Sequence, residues 1–375
     1  MGSIKRIAIS TGGGDAPGLN AVIRAATLGA LERGWEVRGI THGYRSLLHA
    51  DDALMVLDRD AVRGIMQLGG TILGTANRGD PFHFPTQLTP EGPLVPVDRS
   101  ADLVARFAAE GLDALIAIGG DGSLTIAKRL LDLGLPQVIG VPKTIDNDVA
   151  GTDVTFGFDT AVSIATEALG RLHTTTEAHE RVMVVEVMGR HAGWIAVAAG
   201  LAGGADVILI PEIPYVVERV AEKILQRERR GRHFSIVVVA EGAKPLGGKL
   251  TVRSEGDEFR RVEVLGGVAE SLAASLAELT RKETRSIVLG HLLRGGAPSS
   301  GDRLLALRFG AAAIGELAKG SASGMVAMRD GEVRLVPIEE AAGKTRTVPI
   351  NKGLVHSARD LGICFGDEPE SCFAV

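Results

Sequence analysis

The sequence contains only two cysteines among its 375 residues, Cys364 and Cys372, and both lie near the C-terminal end. Two cysteines cannot build a disulfide framework, so a reducing cytoplasm is the natural compartment. No apolar run approaches the roughly 20 residues that span a bilayer, and the N-terminus shows no long apolar signal region. We therefore expect a soluble cytoplasmic protein without a membrane partner.

The sequence also lacks a strong excess of charge of either sign. Its formal net charge is −5 at pH 7, and nothing in this balance is typical of a nucleic-acid binder. An anion-binding site would have to be built from local groups of arginine and lysine. We expect small molecules, and not nucleic acid, as partners.

Aromatic residues are scarce at 4%, whereas glycine reaches 49 residues and the hydrophobic fraction is 45%. Small and aliphatic side chains suit close packing of helices on sheets, and glycines suit tight loops. A chain of this length predicts two domains with ample hydrophobic core.

The stretch from residue 114 to residue 153 is the most informative part of the sequence. Two apolar runs of strand length, 114–118 and 137–141, enclose a helical pattern, which indicates a βαβ unit of a parallel sheet. Each run ends in a polar cluster, at residues 119–123 and 142–148. In an open α/β sheet these strand ends line the ligand crevice. Their carboxylates, hydroxyls, lysine and glycines indicate phosphate and metal chemistry.

The same strand-then-polar pattern occurs in other parts of the chain. A strand at residues 4–10 leads into a glycine-rich loop at 11–20 and a helix, which fits a phosphate-binding loop or a plain tight turn. A second series of βα units runs from residue 181 to 242, after a helix predicted at 159–173 and a polar break at 174–179. Residues 82–96 contain four prolines and are predicted to form an irregular loop.

Several of these motifs together resemble the 6-phosphofructokinase family. The resemblance covers nearly the whole chain, and the specific combination is Thr-Ile-Asp-Asn-Asp, Met-Gly-Arg and Gly-His-X-X-Arg-Gly-Gly in this order. The matching stretches are residues 12–24, 119–123, 142–148, 185–190, 241, 290–296 and the pair 302–303. NAD kinases and lipid kinases share the Gly-Gly-Asp-Gly pattern, but they do not explain the other motifs.

The resemblance implies an α/β fold of two Rossmann-like three-layer α/β/α domains that face each other across a cleft. Residues 1–156 plus 293–340 would form the phosphoryl-donor domain. Residues 157–292 plus 341–375 would form the sugar-phosphate domain. It also implies a homotetramer, or a homodimer, in which neighbouring subunits share the sugar-phosphate sites.

The implied activity is phosphoryl transfer to the 1-hydroxyl of fructose 6-phosphate. Asp146 would be the base, assisted by Lys143, Thr144 and Arg190, and Asp121 would hold Mg²⁺ through waters. The residues implied for the phosphoryl donor are Gly13, Asn77, Arg78, Gly120, Asp121, Gly122 and Ser123. Those implied for the sugar phosphate are Thr144, Asp146, Met188, Gly189, Arg190, Glu241, His291 and Arg294, with Arg181 and Arg285 from a neighbouring subunit.

Residues 122 and 143 both indicate which phosphoryl donor is used, and they favour different donors. Family members that use pyrophosphate carry Asp where this chain has Gly122, and Lys where it has Lys143. Gly122 indicates ATP, and Lys143 indicates pyrophosphate. We expect ATP as the donor, because residue 122 decides whether a nucleotide fits at all, and glycine leaves out the acidic side chain that would exclude it. The pyrophosphate-dependent enzyme is the alternative.

Other interpretations compete at single residues and for the whole chain. Asp148 could bind ligand or cap a turn, and His291 could be a satisfied polar residue at a strand end. The remaining histidines show no metal-ligand spacing. A non-enzymatic sensor of nucleotides or sugar phosphates would require a lost base, but Asp146 is present.

Overall fold

Parallel strands dominate both large sheets of the computed structural model, which describes residues 4–49, 52–76, 79–89, 92–250, 252–254 and 264–369. The strands in chain order are β1 Arg6–Thr11, β2 Glu36–Ile40, β3 Met55–Val56, β4 Phe84–Gln87, β5 Leu94–Val97, β6 Ala114–Gly119, β7 Val138–Pro142, β8 Val182–Val187, β9 Val207–Leu209, β10 Ser235–Ala240, β11 Val252–Ser254, β12 Val264–Leu265, β13 Thr284–Val288, β14 Gly324–Arg329 and β15 Glu332–Val336.

Helices alternate with these strands, as expected for βα units. They are α1 Leu19–Leu31, α2 Arg45–Leu48, α3 Ser100–Ala109, α4 Asp121–Asp132, α5 Phe158–Ala178, α6 Trp194–Ala202, α7 Val217–Arg229, α8 Val268–Thr280, α9 Ser300–Lys319 and α10 Gly353–Asp360. A 3₁₀ turn at Gly290–Arg294 follows β13.

The first sheet has the order β15-β14-β7-β6-β1-β2-β3. Its five central strands are parallel, and β3 and β15 pair antiparallel at the two edges. Ile7 and Ile9 point to the face covered by α1 and α9, while Ala8 points to the face covered by α3 and α4. Because both faces are buried, the strands read as nearly continuous apolar runs.

The second sheet has the order β13-β8-β10-β9 and is parallel throughout. Val185 and Val238 face a core with α5 and α6, whereas Val184 and Val237 face a core with α7 and α8. Each sheet therefore lies between two helical layers, which confirms the predicted fold class of two three-layer α/β/α units.

Two local predictions were wrong. Residues 174–178 do not break the helix, since α5 continues to Ala178. Residues 82–96 are not wholly irregular, since β4 and β5 form an antiparallel pair in which Pro85 lies opposite Pro96. The antiparallel strands β14 and β15 form a hairpin that turns at Asp330 and Gly331.

The C-terminal segment packs on the second sheet. Val355 and Ala358 of α10 join the core formed with α5 and α6, and Cys364 bridges to Val207 of β9. The exact domain boundaries remain a prediction. Within the described parts of the chain, no helix combines the length and the apolar character that crossing a bilayer requires.

Candidate active site

Three loops meet where β1, β6 and β7 end. These strands are neighbours in one parallel sheet, so their carboxyl ends share an edge. The amide of Gly12 donates to the carbonyl of Ile118 over 2.9 Å, and the amide of Lys143 donates to the carbonyl of Gly119 over 2.9 Å. The fold thus brings the two predicted polar clusters and the N-terminal glycine loop together.

Gly13 lies in the loop after β1, at this edge of the sheet, and has a left-handed conformation with φ of 73°. A Cβ atom there would lie 3.5 Å from Nζ of Lys143 and 3.7 Å from Oγ of Ser123. The hydroxyl of Thr75 donates to the Gly13 carbonyl and fixes the loop. Without a side chain, the glycine backbone is open to a phosphate. Thr75 was not predicted, although its place in the loop before Asn77 was a signal.

The N-terminus of α4 faces the same space. Asp121 is the first residue of the helix, and its carboxylate accepts the amide of Gly122 over 2.7 Å. A Cβ atom at Gly122 would meet no atom of the described residues within 4 Å. A helix N-terminus with free space before it suits an anionic ligand.

Lys143 lies at the junction of the loops with 4% of its surface exposed. Its Nζ donates to the carbonyl of Gly14. Burial and the positive charge of Arg294 together lower the pKa of Lys143 to about 8, although the carboxylates of Asp15, Asp148 and Asp146 oppose the shift. The lysine is therefore a cation held between the glycine loop and the acidic loop.

Asp146 has the features of a general base. Burial and the negative charge of Asp148 together raise its pKa to about 7, although Arg294 and Lys143 oppose the shift. No donor among the described residues reaches its buried Oδ1 atom. A half-buried carboxylate whose buried Oδ1 has no donor among the described residues, and whose pKa is near neutrality, is suited to accept a proton from a bound hydroxyl.

Internal hydrogen bonds hold the loop around Asp146. The amide of Asp146 donates to the hydroxyl of Thr144 over 3.1 Å. Asn147 is left-handed, with φ of 52°, and its side-chain oxygen accepts the amide of Thr155 over 3.1 Å. The Thr155 hydroxyl donates to the carbonyl of Thr144 over 2.8 Å. Thr155 was missed because its partners lie across a loop that sequence patterns do not define.

The second sheet contributes side chains from the ends of its neighbouring strands β8 and β10. Met188, Gly189 and Arg190 follow β8, and Glu241 follows β10, with the amide of Gly242 donating to Gly189 over 3.1 Å. Burial and the charge of Glu186 raise the pKa of Glu241, while Arg294 and Arg190 oppose the shift. A carboxylate beside arginines can bind hydroxyls next to a phosphate group.

Arg294 connects the two groups of residues. It ends the 3₁₀ turn after β13, and its Nη1 donates to the carbonyl of Asp15 over 3.0 Å. Its charge acts on Asp146, Lys143 and Glu241. His291 lies exposed on the same turn. The ends of both sheets therefore face one shared site.

Two predicted site residues, Arg181 and Arg285, lie away from this group. Arg181 precedes β8 and Arg285 lies near the start of β13, so both are at the opposite end of the second sheet from Arg190. Both form ion pairs with Glu283, at 2.9 and 2.8 Å. Within one subunit they do not reach the site. Asn77 and Arg78 lie outside the described residues.

Asp121 and Asp148 are the carboxylates that could face a cation. The pKa of Asp148 is raised by burial and by the charge of Asp121, against hydrogen bonds from Thr144 and its own amide. Among the described residues, no three His, Cys, Asp or Glu side chains form a metal-binding group. The donor set suits a hard cation such as Mg²⁺ that keeps waters and substrate oxygens as its other ligands.

The fold and the site define a phosphotransferase: two α/β units meet at a glycine-lined anion cradle, with a poised carboxylate and arginines between them. The chain belongs to the phosphofructokinase family, whose sequence model matches residues 6–317.

Curated relatives cover almost the whole chain. An ATP-dependent 6-phosphofructokinase of Chloroflexus aurantiacus is 53% identical over 364 residues, which are 97% of this chain and 98% of that protein. A pyrophosphate–fructose 6-phosphate 1-phosphotransferase of Amycolatopsis methanolica is 51% identical over 346 residues, 92% of this chain and 96% of that protein.

A solved structure shares the architecture. The crystal structure of a pyrophosphate-dependent phosphofructokinase from Marinobacter aquaeolei superposes with a TM-score of 0.77 at 26% identity. The superposition covers 98% of this chain and 90% of that chain.

Proposed function

We propose that the protein is an ATP-dependent 6-phosphofructokinase, which transfers the γ-phosphoryl group of ATP to the 1-hydroxyl of D-fructose 6-phosphate in glycolysis. The observation that carries the proposal is the position of Asp146, a half-buried carboxylate with a pKa of about 7 that lies between the glycine cradle and Arg294. The names of relatives near 50% identity support the same reaction. We place the reaction in the cytoplasm, where both substrates occur.

The mechanism follows from the position of each group. Asp146 accepts the proton of the 1-hydroxyl as that oxygen forms a bond to the γ-phosphorus. The bond from the γ-phosphorus to the oxygen bridging it to the β-phosphorus breaks, and ADP leaves with that electron pair. Lys143 and Arg190 offset the negative charge on the transferring group. In phosphoryl transfer this positioning and neutralisation carry most of the catalysis.

The donor half would hold the nucleotide by its phosphates. Gly13, Gly120, Gly122 and Ser123 line the cradle, and Asp121 with Asp148 would hold Mg²⁺ through waters. The bound Mg²⁺ would neutralise donor oxygens and orient the phosphates. The open space at Gly122 favours ATP, because a side chain there would occupy the volume a nucleotide needs.

The sugar half would bind the acceptor through Met188, Gly189, Glu241, His291 and Arg294. Arg181 and Arg285 would come from a neighbouring subunit of a homotetramer. The exposed edge strand β13 supports such a contact, since Ile287 and Val288 are 38% and 40% exposed there. We assign residues 1–156 with 293–340 to the donor half, and 157–292 with 341–375 to the sugar half.

A pyrophosphate-dependent reaction is the second candidate. Lys143 and the Amycolatopsis methanolica relative favour it. Parallel assays with the two donors distinguish the two candidate functions. We expect fructose 1,6-bisphosphate to form from fructose 6-phosphate and Mg²⁺ with ATP, and not with pyrophosphate in a parallel tube.

Replacement of Asp146 tests its role as the base. Asp146→Ser should abolish turnover while binding of fructose 6-phosphate, measured by calorimetry, survives. Product from pyrophosphate alone would overturn the donor assignment. Retained turnover in Asp146→Ser would exclude Asp146 as the base.

A further inference from the structure

Residues 345–348, which we name the C-terminal strap, cross the loop that carries Asp146. Thr345 forms an antiparallel bridge with Val149. The amide of Arg346 donates to the carbonyl of Asp148 over 2.7 Å. The strap belongs to the part of the chain that follows α9.

The side chain of Arg346 extends this contact. Its Nη1 donates to the carbonyl of Asn147 over 3.1 Å. One residue thus binds two successive carbonyls of the loop, directly after the proposed base. Its guanidinium carbon lies 4.1 Å from the centre of the Trp194 ring, and the indole of Trp194 donates to the Arg346 carbonyl over 3.0 Å. The plane of the guanidinium is therefore fixed from a second side.

The other end of the strap is held by the sugar half. The amide of Val348 donates to Glu212 over 2.8 Å, and the same carboxylate accepts the amide of Gly193 over 3.1 Å. Trp194 begins α6 and follows Arg190 by four residues. The strap therefore connects the loop after β7 with the loop that presents Arg190.

The loop around Asp146 needs support of this kind. Asn147 is in a left-handed conformation, which residues other than glycine adopt mainly when they are asparagine or aspartate and their side chain forms a local hydrogen bond. Thr155 holds the loop through the Asn147 side chain, whereas Arg346 holds it through the backbone. Because no described donor binds Oδ1 of Asp146, the position of that oxygen depends on the backbone.

We propose that Arg346 is a positioning residue for Asp146, and that it sets the base relative to Arg190 through its contacts with Asn147, Asp148 and Trp194. The proposal rests on the proposed function. A base displaced by about 1 Å can lose on the order of 10²-fold in rate while the substrates still bind.

The test compares Arg346→Ala, Arg346→Lys and Arg308→Ala with the unmodified full-length protein. Arg308 is the matched control, because its Nη2 also donates to a backbone carbonyl, that of Gly331, at 2.9 Å and on an exposed surface. For Arg346→Ala we expect kcat to fall by about 10- to 100-fold, with KM for both substrates within about threefold. Arg346→Lys keeps a positive charge and a hydrogen-bond donor, so its kcat should lie between that of Arg346→Ala and that of the unmodified protein. Arg308→Ala should match the unmodified protein.

Hydrogen–deuterium exchange of amides 144–149 provides a readout that does not need activity. It should be faster in Arg346→Ala and unchanged in Arg308→Ala. A kcat of Arg346→Ala within about twofold of the unmodified protein, or a rise in KM that accounts for the whole loss, overturns the proposal. If the unmodified protein is inactive with both ATP and pyrophosphate, the proposed function fails. Hydrogen–deuterium exchange alone then decides whether Arg346 holds the loop.

Discussion

Asp146 and Lys143 are close in the chain and in the site, and their pKa values are shifted in opposite directions. The pKa of Asp146 is raised to about 7, and that of Lys143 is lowered to about 8. Catalysis needs the carboxylate without its proton and the amine with one. Below pH 7 the base becomes protonated, and above pH 8 the lysine loses its charge.

We therefore predict a narrow maximum of kcat/KM between the two pKa values, with one limb on each side. The measurement is the pH–rate profile of the unmodified enzyme and of Lys143→Arg. The guanidinium stays protonated, so the alkaline limb should disappear in the variant while the acid limb remains. Titration of the substrates is the same in both proteins. An alkaline limb that persists in Lys143→Arg would contradict the assignment.

Gly122 gives a second prediction for a single residue. Gly122→Asp places a carboxylate in the space before α4, beside Asp121, where it repels the phosphates of a nucleotide. We expect kcat/KM with ATP to fall by about 100-fold or more, because unpaired like charges in a partly dry site cost several kcal/mol. Use of pyrophosphate, which Lys143 can serve, should rise relative to ATP.

Gly122→Ala is the matched control for this change. A Cβ atom at that position meets no described atom within 4 Å, so the extra methyl group should leave folding intact. Kinetics with ATP and with pyrophosphate should be measured for both variants. Equal losses in the two variants would mean that bulk, and not charge, selects the donor.

At the scale of elements, the sequence identified nearly every central strand and its polar end, because buried parallel strands are short apolar runs with turn residues after them. It failed where side chains satisfy the backbone in ways that composition does not reveal. The threonines at 174–176 suggested a break, but the hydroxyl of Thr176 donates to the Leu172 carbonyl over 2.6 Å, one turn back. Thr176 is also buried, so packing outweighs its weak helix propensity.

The β4–β5 pair was missed for a related reason. Prolines lower the strand signal of residues 82–96, but Pro85 and Pro96 lie opposite each other in a small isolated ribbon. The pair needs few ladder hydrogen bonds and is tied to the domain through buried Phe84. Neither correction changes the site.

Asp302 connects α9, which packs on the first sheet, with α5, which packs on the second sheet. Its side chain, 1% exposed, accepts the amide of Thr160 over 2.7 Å and the Thr160 hydroxyl over 2.6 Å, near the start of α5, while the residue itself lies in α9. Asp302→Ala leaves these donors buried without an acceptor. We predict a loss of about 1–3 kcal/mol in the free energy of unfolding.

Urea denaturation at neutral pH would measure this loss. Asp360→Ala, which changes an exposed carboxylate paired with His356 at 3.4 Å, is the control and should cost less than about 1 kcal/mol. Comparable losses in both variants would show that the buried acceptor is not what Asp302 contributes.

For the whole molecule, the fold class could be predicted from the motifs, but the contacts that join the two sheets could not. Arg294 could be assigned to the sugar phosphate by resemblance, whereas its hydrogen bond to Asp15 and its influence on Lys143 depend on how the two sheets face each other. The same holds for Arg346, whose partners are about 150 to 200 residues away in sequence. Long-range contacts of this kind follow from the assembled fold and leave no local pattern.

The position of Arg181 and Arg285 leads to the last prediction. The six residues of β8 lie between Arg181 and Met188, and the seven steps of extended chain span about 23 Å, so one subunit cannot use both in one site. If the site is shared, Arg285 of each subunit completes the site that contains Asp146 of its neighbour. Asp146→Asn and Arg285→Ala would then disable every site in their own homo-oligomers, but a mixed pair would contain one intact site and one doubly defective site.

Co-expression of the two variants with different affinity tags, followed by two-step purification of mixed oligomers, tests this. Because a purified mixed pair keeps one intact site of two, we expect about one half of the unmodified activity for a dimer and somewhat more than about one quarter for a randomly assembled tetramer. Both values are well above either variant alone. Mixing the variants after separate purification, without subunit exchange, is the control and should show no recovery. If the mixed oligomers stay as inactive as their parents, Arg285 acts within its own chain or not at all, and the exposed edge of β13 serves another purpose.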